Sequence, residues 1–419
     1  MKKYFRYTLE DLKKSSDRKL FTYISFFSGG GGSSTGYKLS GGDCLFVNEM
    51  QRTAMDTYLA NWPGTPNICD DIKNVTGRQI MEKINLAPRQ LDILDGSPPC
   101  PPFSMSGTKR KGWNKEKTAY GVKQKNIEDL TFEQIRIAGE IQPKVIVCEN
   151  VKGLTMEYAA DYLNKMINGF QELGYTTVWK VLKGHEHGVP QKRERIFIVS
   201  VRNDVIDKVE KLHELTLASS IFPDPDNNHP TIRDAIEDLK DDPENIQDAK
   251  EMTKLMKESS KGHWIYGFDT HPDFPNSGKC EGLKGVMNRE RVVSIGDDIV
   301  RPWFREQIRK GIIAQKDEKH SYYMSRIVPW DQSAHSLTEQ GLQPRFMGGN
   351  HMHPEEYRIY TPKESKRIMS LPDDYVFADS KGYDDIGARI GLMVAPLCIK
   401  DLIDSIYNNV LKPYAERKS

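Results

Sequence analysis

Between residues 20 and 200 the chain alternates short runs of β-branched and aromatic residues with longer amphipathic stretches. The runs "FTYISFF" (21–27), "CLFVNE" (44–49), "LDILDG" (91–96) and "KVIVCEN" (144–150) read as strands. Between or after them, "MQRTAMDTYLANW", "IEDLTFEQIRIAGEIQ" and "EYAADYLNKMINGFQELG" read as helices. "TTVWKVL" (176–182) and "RIFIVSV" (195–201) predict a closing pair of strands. Strand–helix alternation predicts an α/β fold with a mostly parallel sheet covered on both faces. In such sheets ligands lie beyond the carboxyl ends of the strands.

The pattern changes after Asp204. Residues 205–325 hold "PDPDNNHP" and "THPDFPNSGKCEG" and few clear periods, which predicts a second, smaller, loop-rich domain. Further on, "YTPKESKRIMSLPDDY" reads as a proline-started helix, and "PLCIKDLIDSIYNNVL" (396–411) as an amphipathic terminal helix. We therefore expect one domain from residues 1–204 plus 385–419 and another from 205–384. No internal repeat or low-complexity tract interrupts this division.

Composition narrows the class. The 419 residues are 37% hydrophobic and 28% charged, as in a water-soluble chain with a real core. "MKKYFRYTLEDLKK" has no apolar run behind its cations, and no stretch approaches the roughly 20 apolar residues of a membrane span. A cytoplasmic location is expected. The six cysteines form no C-x-x-C pair, which argues against a disulfide scaffold and a thiolate metal site; no metal is expected. Net charge is only +1, but "TKRKGWNKEKTAYGVKQK" (108–125) gathers seven cations against the single acid Glu116. Distribution, more than the sum, suits such a segment to a polyanion.

The chemistry-bearing residues cluster at predicted strand ends. In "SPPCPPFS" (97–104), Cys100 sits among four prolines. Proline fixes φ and withholds an N–H, so this is a stiff loop after a strand, not a helix. The first strand runs into "FFSGGGGSSTG", whose glycines permit a tight turn and close approach to a ligand before a helix N-terminus. Glu49, ending the second strand, suits a ribose diol, and Met50 an adenine face. In "CDDIKNV", Asp71 suits the adenine amino group and Ile72 its face. Together they favour an adenosine-type cofactor, while the lack of G-x-x-x-x-G-K-[ST] argues against ATP or GTP. Glu149 faces the same edge as Cys100. Arg193 and Arg195 alternate along a predicted strand and so point to one side. A thiol, a carboxyl and two guanidiniums around a cofactor pocket make a reaction centre.

In this order the motifs closely resemble the DNA (cytosine-5)-methyltransferases. F-x-G-x-G-G-x-x-x-G is matched by Phe27, Gly29, Gly31, Gly32 and Gly36, and the P-C loop by Pro99 and Cys100. E-N-V is matched by Glu149, Asn150 and Val151, and Q-x-R-x-R by Gln191, Arg193 and Arg195. R-x-x-T-P-x-E is matched by Arg358, Thr361, Pro362 and Glu364. "IGLMVAP" (390–396) keeps Gly391 and Val394, but Leu392 stands where the family usually has asparagine, and Pro101 where glutamine is common. The resemblance covers residues 20–204 and about 326–410. It implies a Rossmann-like methyltransferase sheet that binds S-adenosylmethionine, with Phe27, Gly29, Gly31, Glu49, Met50, Asp71, Ile72, Pro99, Leu130 and Val394 around the cofactor. It makes Cys100 a nucleophile for carbon 6 of cytosine and Glu149 the proton holder at the ring nitrogen. Arg195 would stabilise the ring carbonyl, Arg193 and Arg195 would favour the thiolate, and Asn150 would order the loop.

The resemblance also implies that 205–325 is the variable target-recognition region, with Arg289, Arg291 and Arg301 as candidate base readers. Residues 105–125 would close over a flipped-out base in double-stranded DNA. The implied setting is restriction–modification, with a cognate endonuclease acting separately, or an orphan epigenetic role, and a monomeric chain. Three rivals stay open. A transfer-RNA cytosine-5 methyltransferase also writes "SPPC". An amino-methyltransferase would place tyrosine where Cys100 stands. A non-catalytic nucleic-acid binder would have no need for the intact set of Cys100, Glu149, Arg193 and Arg195.

Overall fold

The computed structural model describes residues 4–99, 130–209, 216–227, 229–259, 330–339, 351–356 and 358–417, with short pieces at 117–119, 122–124, 212, 326–327 and 342–343. In chain order the first strands are β1 (Phe21–Phe26), β2 (Gly42–Asn48), β3 (Asn67–Ile68) and β4 (Ile93–Gly96). They are followed by β5 (Lys117–Ala119), β6 (Val122–Gln124), β7 (Val145–Val151), β8 (Tyr175–Lys183) and β9 (Glu194–Arg202). Seven of them form one sheet in the order β3-β2-β1-β4-β7-β9-β8. β3, β2, β1, β4 and β7 are parallel neighbours, and β9 runs antiparallel to both β7 and β8. β5 and β6 pair antiparallel as a separate short ribbon.

Alternating side chains of each central strand feed two separate cores. Tyr23, Ile93, Val145, Val147, Phe197 and Val199 enter one. Ile24, Phe26, Leu94, Ile146, Cys148 and Ile198 enter the other. Covered on both faces, these strands read as mostly apolar runs, which is why the sequence located them. The first face carries α1 (Leu9–Ser16), α2 (Gly32–Leu39), α3 (Arg52–Asn61) and the C-terminal helix Pro396–Ile406, through Leu12, Tyr37, Met55, Ile399 and Leu402. The second carries α4 (Gly77–Ile84), α5 (Leu130–Ile141) and α6 (Ala160–Glu172), through Ile80, Ile137 and Met166. The result is a doubly covered sheet, as the alternation predicted. The proline-started helix is Pro362–Ile368, with Thr361 as N-cap and Glu364 completing a capping box.

β1 and β4 are adjacent, yet the chain leaves β1 for β2 on one side and β4 for β7 on the other. Their carboxyl ends therefore open a crevice at the point where the strand order reverses. Close approach of α2 to the C-terminal helix shapes one wall. A Cβ on Gly36 would lie 2.5 Å from the Pro396 carbonyl oxygen and 2.6 Å from the Ile399 side chain. Alanine in a helix interior gains about 1 kcal/mol over glycine, but crowding against a backbone oxygen costs roughly 1–3 kcal/mol. We expect Gly36→Ala to lower the urea midpoint, and a midpoint at or above wild type would refute this packing.

Candidate active site

The residues that end the strands meet at one edge of the sheet. After β1, Phe27 and Gly29 both adopt φ of +53°, and Gly31 adopts +100°. The Ser28 N–H donates to the Asn48 carbonyl at 3.1 Å and the Gly31 N–H to the Ser28 carbonyl at 2.9 Å, folding the chain into a tight turn. The glycines differ in purpose. A Cβ on Gly31 would lie 2.1 Å from the Trp62 ring and one on Gly32 2.5 Å from the Val394 carbonyl, so both are packing requirements. A Cβ on Gly29 would meet nothing within 4 Å, so its backbone faces open space. Tyr375 donates its hydroxyl proton to the Gly30 carbonyl, fastening the turn from the far end of the chain.

Glu49 stands beside this open backbone. Its Oε2 accepts from the Gly29 N–H and its Oε1 from the Gln51 N–H, both at 2.9 Å. Burial pushes its carboxyl up, and the backbone donors oppose that shift. Each oxygen keeps a further lone pair, so the carboxylate can take a vicinal diol. Asn48 positions the next element, donating through Nδ2 to the Ile68 carbonyl at 3.0 Å and the Asp70 carbonyl at 2.9 Å. That brings the loop holding Asp71 and the buried Ile72 against the end of β2, near the Met50 carbonyl that Cys69 approaches. Asp71 caps the one-turn helix Ile72–Asn74 by accepting from the Lys73 N–H at 3.1 Å. The role of Asn48 escaped the sequence reading. Its signal was a polar residue inside an apolar strand run.

Across the crevice, the Ser97 N–H donates to the Phe26 carbonyl at 3.4 Å and its hydroxyl to the Phe27 carbonyl at 3.3 Å. Pro98 is buried and Pro99 half-buried. Cys100 lies outside the described residues, as do Pro101, residues 105–116, and Arg289, Arg291 and Arg301. Asn150, buried at the end of β7, donates from Nδ2 to the Pro98 carbonyl at 3.3 Å and accepts the Val151 N–H on Oδ1 at 2.8 Å. It thus grips the chain two residues before Cys100. Leu130 is buried at the start of α5, and Val394 is buried just before the C-terminal helix.

Glu149, beside Asn150, is buried and forms an ion pair with Arg195, Oε1 to Nε at 2.9 Å. The antiparallel register of β7 and β9 places Val151 opposite Arg195 at this edge. Burial pushes the Glu149 carboxyl up, while Arg195 and Arg193 pull it down. Arg193 is differently engaged. It precedes β9 and sends its guanidinium to the Leu337 carbonyl at 2.8 Å and the Gly391 carbonyl at 3.2 Å. Gln191, fully buried, receives the Leu337 N–H at 2.8 Å. These two residues couple the sheet edge to the returning chain, whereas Glu149 and Arg195 pair directly.

One further acid lies beneath the site. Asp95, in β4, is buried and accepts from Ser25 at 2.6 Å and Ser33 at 2.9 Å, leaving Oδ1 without a hydrogen bond. Burial pushes its pKa from the usual 3.8 up to about 6. The unfolded chain therefore deprotonates first. Stability contributed by the protonated acid is full below about pH 4, falls as pH rises to about 6, and then levels. We expect Asp95→Asn to gain on wild type by about 2–3 kcal/mol across that window. Urea titrations at pH 4 and pH 7.5 check this, and an unchanged difference between the two proteins would refute it.

Comparison with known proteins places the chain in a family. The family model described as C-5 cytosine-specific DNA methylase matches residues 21–408. The Type II methyltransferase M.PspPI of Psychrobacter sp. (strain TA137) is 30% identical over 90% of this chain and 77% of its own length. The Type II methyltransferase M.AgeI of Thalassovita gelatinovora is 31% identical over 91% of this chain and 98% of its own. Among solved structures, a candidate DNA modification methyltransferase encoded within an E. coli prophage superposes with a TM-score of 0.59 at 19% identity. That match covers 93% of this chain and 99% of that one. A Spodoptera frugiperda DNMT2 variant superposes with a TM-score of 0.51 at 18% identity, over 92% and 99%. Among the described residues no helix is long and apolar enough to cross a membrane.

Proposed function

The chain belongs to the C-5 cytosine-specific DNA methylase family and is a DNA cytosine-5 methyltransferase of the Type II kind, and on that premise we propose that it methylates a flipped-out cytosine through a covalent cysteine adduct. One observation carries the reading. The ion pair of buried Glu149 with half-buried Arg195, 2.9 Å apart, adjoins Asn150, which holds the chain two residues before Cys100. A carboxyl and a guanidinium thus stand together at the carboxyl edge of the sheet, beside the anchored chain that leads to Cys100.

The proposed methyl donor is S-adenosylmethionine, whose sulfonium supplies an electrophilic methyl group. The open backbone at Gly29 and the carboxylate of Glu49 fit its adenosine half. Phe27, Gly31, Met50, Asp71, Ile72, Pro99, Leu130 and Val394 complete the proposed surround. Glu49 would accept the ribose hydroxyls, and Asp71 the adenine amino group. On the substrate side, the Cys100 thiolate adds to carbon 6 of cytosine, which makes carbon 5 nucleophilic. Glu149 places its proton at the ring nitrogen as charge builds. Arg195 stabilises the ring carbonyl oxygen. Arg193 holds the edge in place through the Leu337 and Gly391 carbonyls. Loss of the carbon 5 proton and expulsion of the thiolate release the product.

None of these groups reaches a base stacked in a duplex, so the base must leave the helix. The proposed substrate is double-stranded DNA, read by the loop-rich 205–325 region of a smaller domain spanning 205–384. We propose a cytoplasmic monomer, with a cognate endonuclease acting separately. A duplex carrying 5-fluorocytosine at the target is expected to form a denaturation-resistant complex in the presence of the donor, because the fluorine is not eliminated. A gel that shows only free protein and methylated DNA would overturn the covalent route. Transfer RNA assayed in parallel tests the rival substrate.

A further inference from the structure

The turn joining β8 to β9 carries a cluster that the methyl-transfer reading does not use. Gly184–His187 is a single 3-10 turn. His185 and Glu186 on it, with His229, bring three donor atoms within 4.8 Å of one another. The His185 and His229 rings meet edge to face, 4.6 Å between centroids and 82° between planes. Nδ1 of His185 is buried and has no hydrogen-bond partner. A buried imidazole nitrogen without a partner costs free energy unless something else binds it. The backbone is set independently of the side chains, since the Asp226 N–H donates to the Glu186 carbonyl at 2.8 Å.

We propose that His185, Glu186 and His229 form a divalent transition-metal site, best suited to Zn²⁺, with water completing the coordination. Two imidazoles and one carboxylate are a borderline-soft set that suits zinc and disfavours calcium or magnesium. With metal–ligand distances of about 2.0–2.2 Å, tetrahedral donors stand roughly 3.4 Å apart. His229 is exposed, so its ring would have room to turn and close that gap. Lys183 donates to Oε1 of Glu186 at 2.8 Å, so the metal would take the other oxygen or displace a half-exposed amine.

The position explains what a metal would do. Directly after His229, the Pro230 carbonyl accepts from the Ser333 hydroxyl at 2.7 Å, and the Ile232 and Arg233 N–H groups donate to the Gln332 and Trp330 carbonyls. The Ala334 N–H in turn donates to the Pro190 carbonyl at 2.9 Å, and the Lys192 N–H to the Ala334 carbonyl at 2.7 Å. The metal would therefore fasten the chain leaving for residues 230–330, and the chain returning from them, to the strand connection that leads into Arg193 and Arg195.

The full chain, stripped with a chelator, is titrated with Zn²⁺ by calorimetry and with Co²⁺ by absorption. We expect one Zn²⁺ per chain and a rise in thermal midpoint. We expect a Co²⁺ spectrum without the thiolate charge-transfer band that cysteine ligation would give. His229→Gln, at an exposed position, is expected to keep the metal-free midpoint, weaken Zn²⁺ at least tenfold and lose the metal-induced rise; His185→Gln should do likewise. Should His185→Gln fail to fold, His229→Gln alone decides. No saturable binding, a thiolate band, or unchanged affinity in His229→Gln would overturn the site.

Discussion

Cys100→Ser is expected to reduce methyl transfer by roughly 10⁴-fold or more, equivalent to about 5 kcal/mol or more of transition-state stabilisation. Serine keeps the size and the loop prolines, so DNA binding should survive while the reacting group is lost. A thiol already supplies a few per cent thiolate near neutrality, whereas a hydroxyl needs an activating base. Glu149 is already committed to the ring nitrogen in the proposed mechanism, so it does not serve as that base. Among the described residues, the other thiols are poorly suited to substitute. Cys148 and Cys398 are buried, and burial pushes the thiols of Cys44, Cys69 and Cys398 up, away from the reactive thiolate. Single-turnover transfer of a labelled methyl group to duplex DNA measures the effect, with filter binding as the control. Activity within tenfold of wild type, with DNA binding intact, would remove Cys100 from the mechanism.

The parts that were legible in the sequence share one physical feature: their pattern is local. β1, β4 and β7 were visible because both faces are buried and each run is mostly apolar and β-branched or aromatic. Glu49 and Glu149 stood out as acids at the ends of such runs. By contrast, α1 and α4 were not anticipated. Each spans only eight residues, too short for the apolar period to repeat clearly along the sequence. Their capping boxes, Thr8 with Asp11 and Thr76 with Gln79, were the available signal. Arg193 shows the other limit. Period-two alternation set it beside Arg195, but β9 begins at Glu194, and the carbonyls that hold Arg193 come from residues 337 and 391. Partners that distant leave no periodic trace. Asp95 is the same case, since its burial depends on Ser25 and Ser33 arriving from another strand and a helix.

Glu149→Gln should separate proton transfer from packing. Glutamine preserves volume and still offers an N–H towards a ring nitrogen, but it cannot hand over a proton. General acid–base help of this kind contributes about 10²–10⁴-fold, and we expect kcat to fall by that order with KM for DNA nearly unchanged. The variant also leaves Arg195 without its 2.9 Å anionic partner, so some loss of stability is expected. The pH profile tells the two effects apart. Burial raises the carboxyl of Glu149 above its ordinary value, which keeps part of the population protonated closer to neutrality. The wild-type rate should therefore decline on the alkaline side as that proton is lost, and on the acid side as the thiolate of Cys100 is lost. Glu149→Gln should erase the alkaline limb and keep the acid limb. A variant whose residual rate keeps both limbs, or whose kcat stays within threefold of wild type, would leave Glu149 as a structural partner of Arg195 and move the proton transfer elsewhere.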